Sequence, residues 1–383
     1  MAGSSGVRRL LCVLCVMSCS FAQSAPKRSR QAGIAAPEEV PLGGMSTIQL
    51  PSLPAESIGP PLFCDSDGRI LFRLATPMGV EDPVLISRDG KTVIRLGREK
   101  VSDIPRPHLS SMFLSGSDVY ILTYGSTPLG YQQKLRTPTG EIVTQQAAKG
   151  GAFVAHFEPD GKYAGAVPLD LPFGTMQLGV FENGDFLIAG MEKATGEPRV
   201  AIVASNGQLR RMLELKGDVH AQDESGGLAK EKDPTALPRD GPMQDTPVFA
   251  QSLSYAVGFS RIVKDGPNLL LFRPMNGPVF SISPSGEVRV HKLKVEGDYS
   301  LYTIKATRNS WIVEFLHNLP NSPAVELSIY AFDPETGAPL REYLLPSDLG
   351  WGLACTDGDE FTFLMANNEK NTLSLATVSV TKH

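Results

Sequence analysis

Two acidic turns come nearer than any other group in this chain to a metal-binding pattern. They read Asp65-Ser66-Asp67 and Asp357-Gly358-Asp359, and calcium takes about six to eight oxygen ligands of this kind. Asp and Gly are also the ordinary residues of tight turns, which favours a turn over a metal site. Among the strand residues before the turns, Asp65 and Gln177 are oxygen donors, whereas Arg261 and Lys305 would repel a cation. We therefore predict no metal site.

The chain also lacks the local motifs of nucleophilic and phosphate chemistry. None of its six histidines forms an HxxxH motif or pairs with a cysteine at metal-ligand spacing. It contains no Gly-x-Ser-x-Gly elbow and no Gly-rich loop ending in Gly-Lys-Ser or Gly-Lys-Thr. A triad of distant residues stays open, because triad members need not be close in sequence. The sequence predicts neither a catalytic residue nor a cofactor.

Two cysteines, Cys64 and Cys355, lie outside the N-terminal segment that also contains Cys12, Cys15 and Cys19. A pair of cysteines in an oxidising compartment favours a disulfide. Two buried free thiols, which pack as small hydrophobic side chains, are the alternative. Both remain open at this point.

A recurring hairpin must position all of these residues. Six times a short apolar strand runs into a polar turn and out into a second, more apolar strand. The copies read FCDSDGRILFRL from Phe63, MFLSGSDVYILTY from Met112, VFENGDFLIAG from Val180, FSRIVKDGPNLLLF from Phe259, TIKATRNSWIVEFL from Thr303 and LACTDGDEFTFLM from Leu353. Five copies are followed by a second, more polar hairpin, so the repeating unit is four strands, and such units must stack to bury their faces.

The sixth copy ends after a third strand, TLSLATVSV from Thr372. The segment STIQLPSLP from Ser46 resembles the polar outer strands of the other copies. We predict that it completes the last unit and closes a ring, because an open ring would leave two unpaired edges. The alternative is that residues 46–53 are an extended leader.

The repeat pattern resembles six-bladed β-propellers of the broad TolB-like and NHL-like kind over nearly all of the chain. The resemblance implies an all-β fold of six four-stranded antiparallel blades. It rests on the repeated hairpins and not on a diagnostic motif, since no Gly-His or Trp-Asp signature of the WD40 type is present. A fold resemblance of this kind does not transfer function.

A propeller places two kinds of connection on one face: those between blades, and those from the second to the third strand within a blade. Both long insertions, 125–151 and 217–249, fall on such connections. The inner strands also begin at this face and bring aromatic rings towards the central opening, a plausible platform for a ligand. The predicted ligand-binding residues are His108, Phe173, Tyr255, Tyr302 and Trp351. Packing between blades is the alternative role for each.

Composition and charge narrow the classes of partner. Apolar residues make up 42% of the 383 residues and charged residues 20%, as in a globular protein with a sizeable core. The net charge of -5 provides no basic field for nucleic acid. No apolar run after the first thirty residues is long enough to span a bilayer.

The N-terminus predicts export. Arg8 and Arg9 precede an apolar segment, and Ser20-Phe21-Ala22 fits a signal-peptidase site. The predicted organisation is a signal peptide at 1–22, a flexible leader at 23–44 and a propeller at 45–383. A lipoprotein signal with a lipid on Cys19 is the competing interpretation.

Together these features predict an exported binding or scaffolding module at the cell envelope, with a protein, glycan or small molecule bound at the insertion-bearing face. The alternative is a propeller enzyme, a lyase or hydrolase acting on a lactone or saccharide at the central channel. A third hypothesis is an assembly subunit whose face another protein covers.

Overall fold

The computed structural model describes residues 37–50, 57–76, 79–136, 142–192, 195, 197–215, 260–272, 278–293, 300–318, 325–347, 349, 352–367 and 372–381. This part of the chain is built from β-strands, apart from one 3₁₀ turn at Arg98–Lys100. None of its helical segments has the length or apolarity to cross a membrane.

The strands form repeating four-stranded antiparallel units, which we number 1 to 6 in chain order. Unit 1 contains β2 (Ser57–Cys64), β3 (Ile70–Thr76), β4 (Gly79–Ile86) and β5 (Val93–Arg95). Unit 2 contains β6 (His108–Ser115), β7 (Asp118–Arg136), β8 (Ile142–Phe157) and β9 (Tyr163–Leu169). Unit 3 contains β10 (Gly174–Val180), β11 (Phe186–Met191), β12 (Pro198–Val203) and β13 (Leu209–Leu213).

The second half of the chain continues the pattern. Unit 4 contains β14 (Arg261–Asp265), β15 (Asn268–Phe272), β16 (Val279–Ile282) and β17 (Val288–His291). Unit 5 contains β18 (Ser300–Ala306), β19 (Trp311–Asn318), β20 (Val325–Phe332) and β21 (Pro339–Leu344). Unit 6 contains β22 (Leu353–Asp357), β23 (Glu360–Asn367) and β24 (Thr372–Val380), with β1 (Glu38–Gln49) as its fourth strand.

The inner strands converge in a ring. Each of β2, β6, β10, β14, β18 and β22 contacts the inner strand of the next unit, and β22 contacts β2. Neighbouring units pack against each other through apolar side chains of the inner and second strands. These clusters include Phe113, Phe272, Trp311 and Phe363, all at most 1% exposed. The predicted all-β propeller is confirmed.

The N-terminal strand closes the ring, as predicted. β1 pairs antiparallel with β24 from Leu42 to Gln49, and so supplies the fourth strand of unit 6. Its first four residues pair in parallel with β21, so that units 5 and 6 form one eight-stranded sheet. The strand begins at Glu38, and residues 38–44, which the sequence assigned to the leader, therefore belong to the folded domain.

The two insertions have different outcomes. At 125–151 the strands β7 and β8 continue past the rest of unit 2 as one long hairpin, paired as far as Arg136 and Ile142. The insertion at 217–249 lies outside the described residues.

Candidate functional site

A register shift interrupts the inner hairpin of most units at the level of the central opening. Five inner strands show it: β2, β6, β10, β18 and β22. Extra residues at such bulges leave the ladder and turn their side chains in a new direction, which is why bulges recur beside functional sites. The inserted residues include Ser110 and Ser111 in β6, Met176 in β10 and Tyr302 in β18.

The hairpin turns put the six inner strands into one common register. We count from the last residue of each inner strand that is paired across the hairpin turn. In units 1 to 6 these residues are Asp65, Ser115, Phe181, Asp265, Thr307 and Asp357. Four residues earlier the strands place Pro61, Ser111, Gln177, Arg261, Thr303 and Leu353. We call the four polar residues of this set, Ser111, Gln177, Arg261 and Thr303, the polar belt. They follow one another in units 2 to 5.

The first half of the polar belt is joined across a unit boundary. The Ser111 hydroxyl donates to Gln177 Oε1 at 3.2 Å and accepts from the backbone N–H of Leu178 at 3.2 Å. These bonds fix both side chains beside the opening.

The second half of the polar belt holds a guanidinium with unused hydrogen-bonding capacity. The Arg261 guanidinium lies 4.7 Å from the centroid of the Tyr302 ring, a cation–π contact. Its Nη1 is buried without a hydrogen-bond partner in the described structure, and the same holds for Thr303 Oγ1. Burial lowers the pKa of Arg261 and raises that of Tyr302, because it disfavours the charged form of each group. A guanidinium that has one unpartnered nitrogen and lies beside a phenol is suited to an anion.

A buried carboxylate lies behind the belt. Glu314, 0% exposed, accepts hydrogen bonds from the backbone N–H groups of Gly352 at 2.8 Å and Leu353 at 3.1 Å, one on each oxygen. Burial raises the pKa of Glu314 to about 7, against the opposing effects of the two amide donors, Lys305 and Arg261. Because both oxygens already have partners, Glu314 connects unit 5 to unit 6 and is not open to a ligand.

The predicted aromatic residues have different surroundings. His108 is exposed at the start of β6, with its ring 6.4 Å from that of Tyr124. Tyr302 is half-buried under Arg261. Phe173 is 4% exposed and packs into the largest core cluster, out of reach of a ligand, because the start of β10 turns it towards Gly190. Tyr255 and Trp351 lie outside the described residues.

The cysteines and the first acidic turn, at Asp65, have structural roles. A disulfide joins Cys64 to Cys355 and links unit 1 to unit 6. Asp65 accepts from the backbone N–H groups of Asp67 and Arg69, at 3.0 and 2.9 Å, and its other oxygen lies 2.7 Å from Arg69 Nε. It therefore caps its turn. The described residues hold no group of His, Cys, Asp and Glu side chains suited to a metal ion.

The sequence did not point to Glu314. It indicated only that Arg261 and Lys305 would repel a cation. The repeat itself carries the missing signal. The position of Glu314 lies four residues after the first residue of each second strand that is paired across the turn. In units 1 to 6 it is occupied by Arg73, Leu122, Ala189, Phe272, Glu314 and Leu364. Glu314 is a carboxylate at a repeat position that is apolar in four of the six units. Because an unpaired charge is costly to bury, such a residue indicates that the fold supplies partners for it.

The chain matches no protein-family model and no curated protein. Among solved structures it is similar to a Bacteroides fragilis protein described as exported, at 14% identity over 91% of this chain and 100% of that one, with a TM-score of 0.49. Virginiamycin B lyase from Staphylococcus aureus is 11% identical, covering 88% and 99% of the two chains, with a TM-score of 0.40. The propeller domain of the Trilobed protease from Pyrococcus furiosus is 7% identical, covering 80% and 76%, with a TM-score of 0.35. Function does not follow from similarity of this degree.

Proposed function

We propose that this chain is an exported six-bladed β-propeller that acts as a binding module at the cell envelope. Its ligand is a small molecule, or a group on a larger one, that carries a carboxylate or phosphate. The binding place is the central opening on the face where the inner strands begin. The single observation that carries this proposal is the unpartnered, buried Nη1 of Arg261 above Tyr302.

The surroundings of Arg261 support an anion over other ligands. The nearby titratable groups are Arg261, Lys305, Tyr302 and Glu314. Two of these are basic, and the only carboxylate among them already accepts two backbone N–H bonds. A buried cation without a matching acceptor is costly, and a ligand carboxylate would supply two oxygens in the geometry that a guanidinium binds best. Ser111, Gln177 and His108 provide further polar contacts around the same opening.

The enzyme alternative has weaker support. Perturbed pKa values often mark catalytic groups, and Glu314 and Lys305 both have them. Glu314, however, is enclosed with both oxygens bonded, so that it cannot reach a lactone or a saccharide. Lys305 lines a separate cavity at the turn end of the inner strands.

The proposal is tested by the melting temperature of the purified chain, starting at residue 37, with citrate, acetate, a uronic acid and inorganic phosphate as probes. An anion at about 100 times its Kd stabilises a folded protein by about 2.7 kcal/mol. We expect one of these probes to raise the melting temperature of the wild type and of Arg289→Met, and to leave Arg261→Met unchanged. Arg289 is the matched control, because it lies in the same unit, is 63% exposed and pairs with Glu287. Equal shifts in the wild type and Arg261→Met, or no shift with any probe, would contradict an anion site.

A further inference from the structure

The turn face of the ring, opposite the proposed anion site, has a cavity of its own. Its volume is about 360 Å³, within the range of small-molecule sites. The ends of four inner strands line it with apolar side chains, which include Leu62, Leu114, Val263 and Ile304. Two lysines, Lys264 and Lys305, also line it. We call it the lower cavity.

The two lysines of the lower cavity differ in their partners. Lys264 Nζ lies 3.0 Å from Glu182 Oε1 and is therefore ion-paired. Lys305 Nζ donates to the backbone carbonyl of Leu62, and no described carboxylate lies within ion-pair distance of it. The carboxylate of Asp65, also at the cavity, is used by Arg69 and by two backbone N–H groups. Lys305 is thus a half-buried amine that is not ion-paired within the described residues, and Glu314 is the carboxylate that acts on it from a longer distance.

The fold does not require a charge at this position. The position of Lys305 lies two residues before the last paired residue of each inner strand. In units 1 to 6 it is occupied by Phe63, Phe113, Gly179, Val263, Lys305 and Cys355. Apolar residues, a glycine and a disulfide cysteine fill this position in the other five units. A lysine there costs free energy, because an ammonium group loses its hydration and gains the Leu62 carbonyl but no ion-paired carboxylate among the described residues.

We propose that the lower cavity is a second site, in which Lys305 forms an imine with a small aldehyde or ketone. The neutral Nζ adds its lone pair to the carbonyl carbon, a C–N bond forms, and the C=O π pair moves to oxygen. A proton passes from nitrogen to that oxygen to give the carbinolamine. The nitrogen lone pair then expels the oxygen, which leaves with a second proton as water, and the C=N bond remains. Amine and carbonyl compound thus give imine and water without a redox step.

The electrostatic surroundings supply the neutral amine that the first step needs. Burial lowers the pKa of Lys305 to about 7, and Arg261 lowers it further, while Glu314 acts in the opposite direction. Lys264 and Asp65 face the same cavity from units 4 and 1, each with its own ion-pair partner. At pH 7 the neutral amine is therefore far more abundant for Lys305 than for an ordinary lysine, whose pKa is about 10.4.

Reductive trapping tests this proposal on the chain from residue 23 onward, which lacks only the predicted signal peptide. The protein is incubated at pH 7 with benzaldehyde and sodium cyanoborohydride, which reduces the imine to a stable amine, and peptides are mapped by mass spectrometry. We expect Lys305 to be labelled at least about tenfold faster than Lys264, its neighbour in the same cavity. We also expect the rate at Lys305 to rise with pH up to about 7 and then level off, while the rate at Lys264 continues to rise towards pH 9.

Two results would overturn the proposal, and neither needs a variant that might not fold. One is equal or slower labelling of Lys305 compared with Lys264. The other is a rate at Lys305 that follows the same pH course as Lys264. Neither bears on anion binding at Arg261, which the melting measurements address separately.

Discussion

Two charged residues, Arg73 and Glu314, lie at a repeat position that is apolar in the other four units. Arg73 and Glu314 occupy the same register in units 1 and 5, where the other units have Leu122, Ala189, Phe272 and Leu364. Their surroundings differ. Both oxygens of Glu314 have donors, whereas Nε and Nη2 of Arg73 are buried without partners and Nη1 has only a 3.4 Å contact with the carbonyl of Leu109. The same register thus holds a carboxylate with both oxygens hydrogen-bonded and a guanidinium with two unpartnered nitrogens.

Replacing Glu314 by Gln should destabilise the protein. A Gln side chain has one acceptor oxygen, so its NH₂ group would face a backbone N–H of Gly352 or Leu353 and leave that donor unpaired, at a cost of about 1–3 kcal/mol. Urea unfolding at pH 7.5 measures the free energy. Glu158→Gln is the control, because Glu158 is 45% exposed and forms only a distant surface pair with Lys162. Equal stability of the two variants would show that the amide bonds to Glu314 are unimportant.

Replacing Arg73 by Met should have the opposite effect. Burial lowers the pKa of Arg73 to about 10, a sign that its charge is poorly compensated, with Asp82 as the opposing partner. Removing two unpaired donors while keeping an apolar side chain should leave stability unchanged or raise it by about 1 kcal/mol. The same urea experiment decides this. A loss comparable to that of Glu314→Gln would instead give Arg73 an essential role between units 1 and 2.

At the residue scale the sequence predicted roles from local patterns and succeeded where the cause was local. The acidic turn at Asp65 is a turn, because its carboxylate accepts the backbone N–H groups that follow it. Phe173 was predicted at the opening but is buried, since a short apolar strand does not reveal which way its first ring turns. The proposed role of Arg261 depends on its contact with Tyr302 in the next unit. This contact forms only after folding.

At the scale of elements, β1 is the strand with the most unusual pairing. Its first half runs parallel to β21 and its second half antiparallel to β24, with a register shift between Gly43 and Ser46. Gly44 has φ +63° at this shift, a conformation that favours glycine. The sequence predicted the pairing of 46–53, which resembles an outer strand, and missed Glu38 to Gly44. A Pro-Leu-Gly-Gly stretch has the composition of a loop, and tertiary pairing overrides that composition here.

Removing β1 should strongly destabilise the ring. A chain that starts at residue 51 lacks Val40, Leu42 and Leu50, all at most 9% exposed, and each buried side chain of this size is worth about 1.5–3 kcal/mol. Compared with a chain that starts at residue 37, we expect a lower melting temperature and more aggregation from the exposed edges of β21 and β24. Differential scanning calorimetry and light scattering measure the two effects. Identical melting temperatures would show that β1 does not close the ring.

At the scale of the whole molecule, two independent links join the beginning of the chain to its end. One is the main-chain ladder of β1, and the other is the disulfide between Cys64 and Cys355, 291 residues apart. The sequence predicted the propeller from repeated hairpins and the ladder from the missing fourth strand. It left the disulfide undecided, because bonding depends on the distance between two strands that only ring closure brings together.

The disulfide should appear directly in solution. In the chain that starts at residue 37, intact mass spectrometry after alkylation without reductant should find no labelled cysteine, and denaturation with reductant should expose two. Reduction should also lower stability, by up to about 5 kcal/mol in the chain-entropy model for so long a loop. Two thiols labelled in the absence of reductant would leave the ladder as the sole link between the ends.

The pairing of β1 with β24 sets an order of events in biogenesis. A polypeptide emerges from the ribosome N-terminus first, yet the strand synthesised earliest in this domain finds its permanent neighbours only in the segments made last. Until then Glu38–Gln49 is a nascent strand without a template, and unit 6 is incomplete. Closing the ring therefore has to wait for the synthesis of units 1 to 6 and has a very high contact order, which makes it a slow step, and a chaperone or translocase that held the nascent strand extended would protect the molecule during that wait.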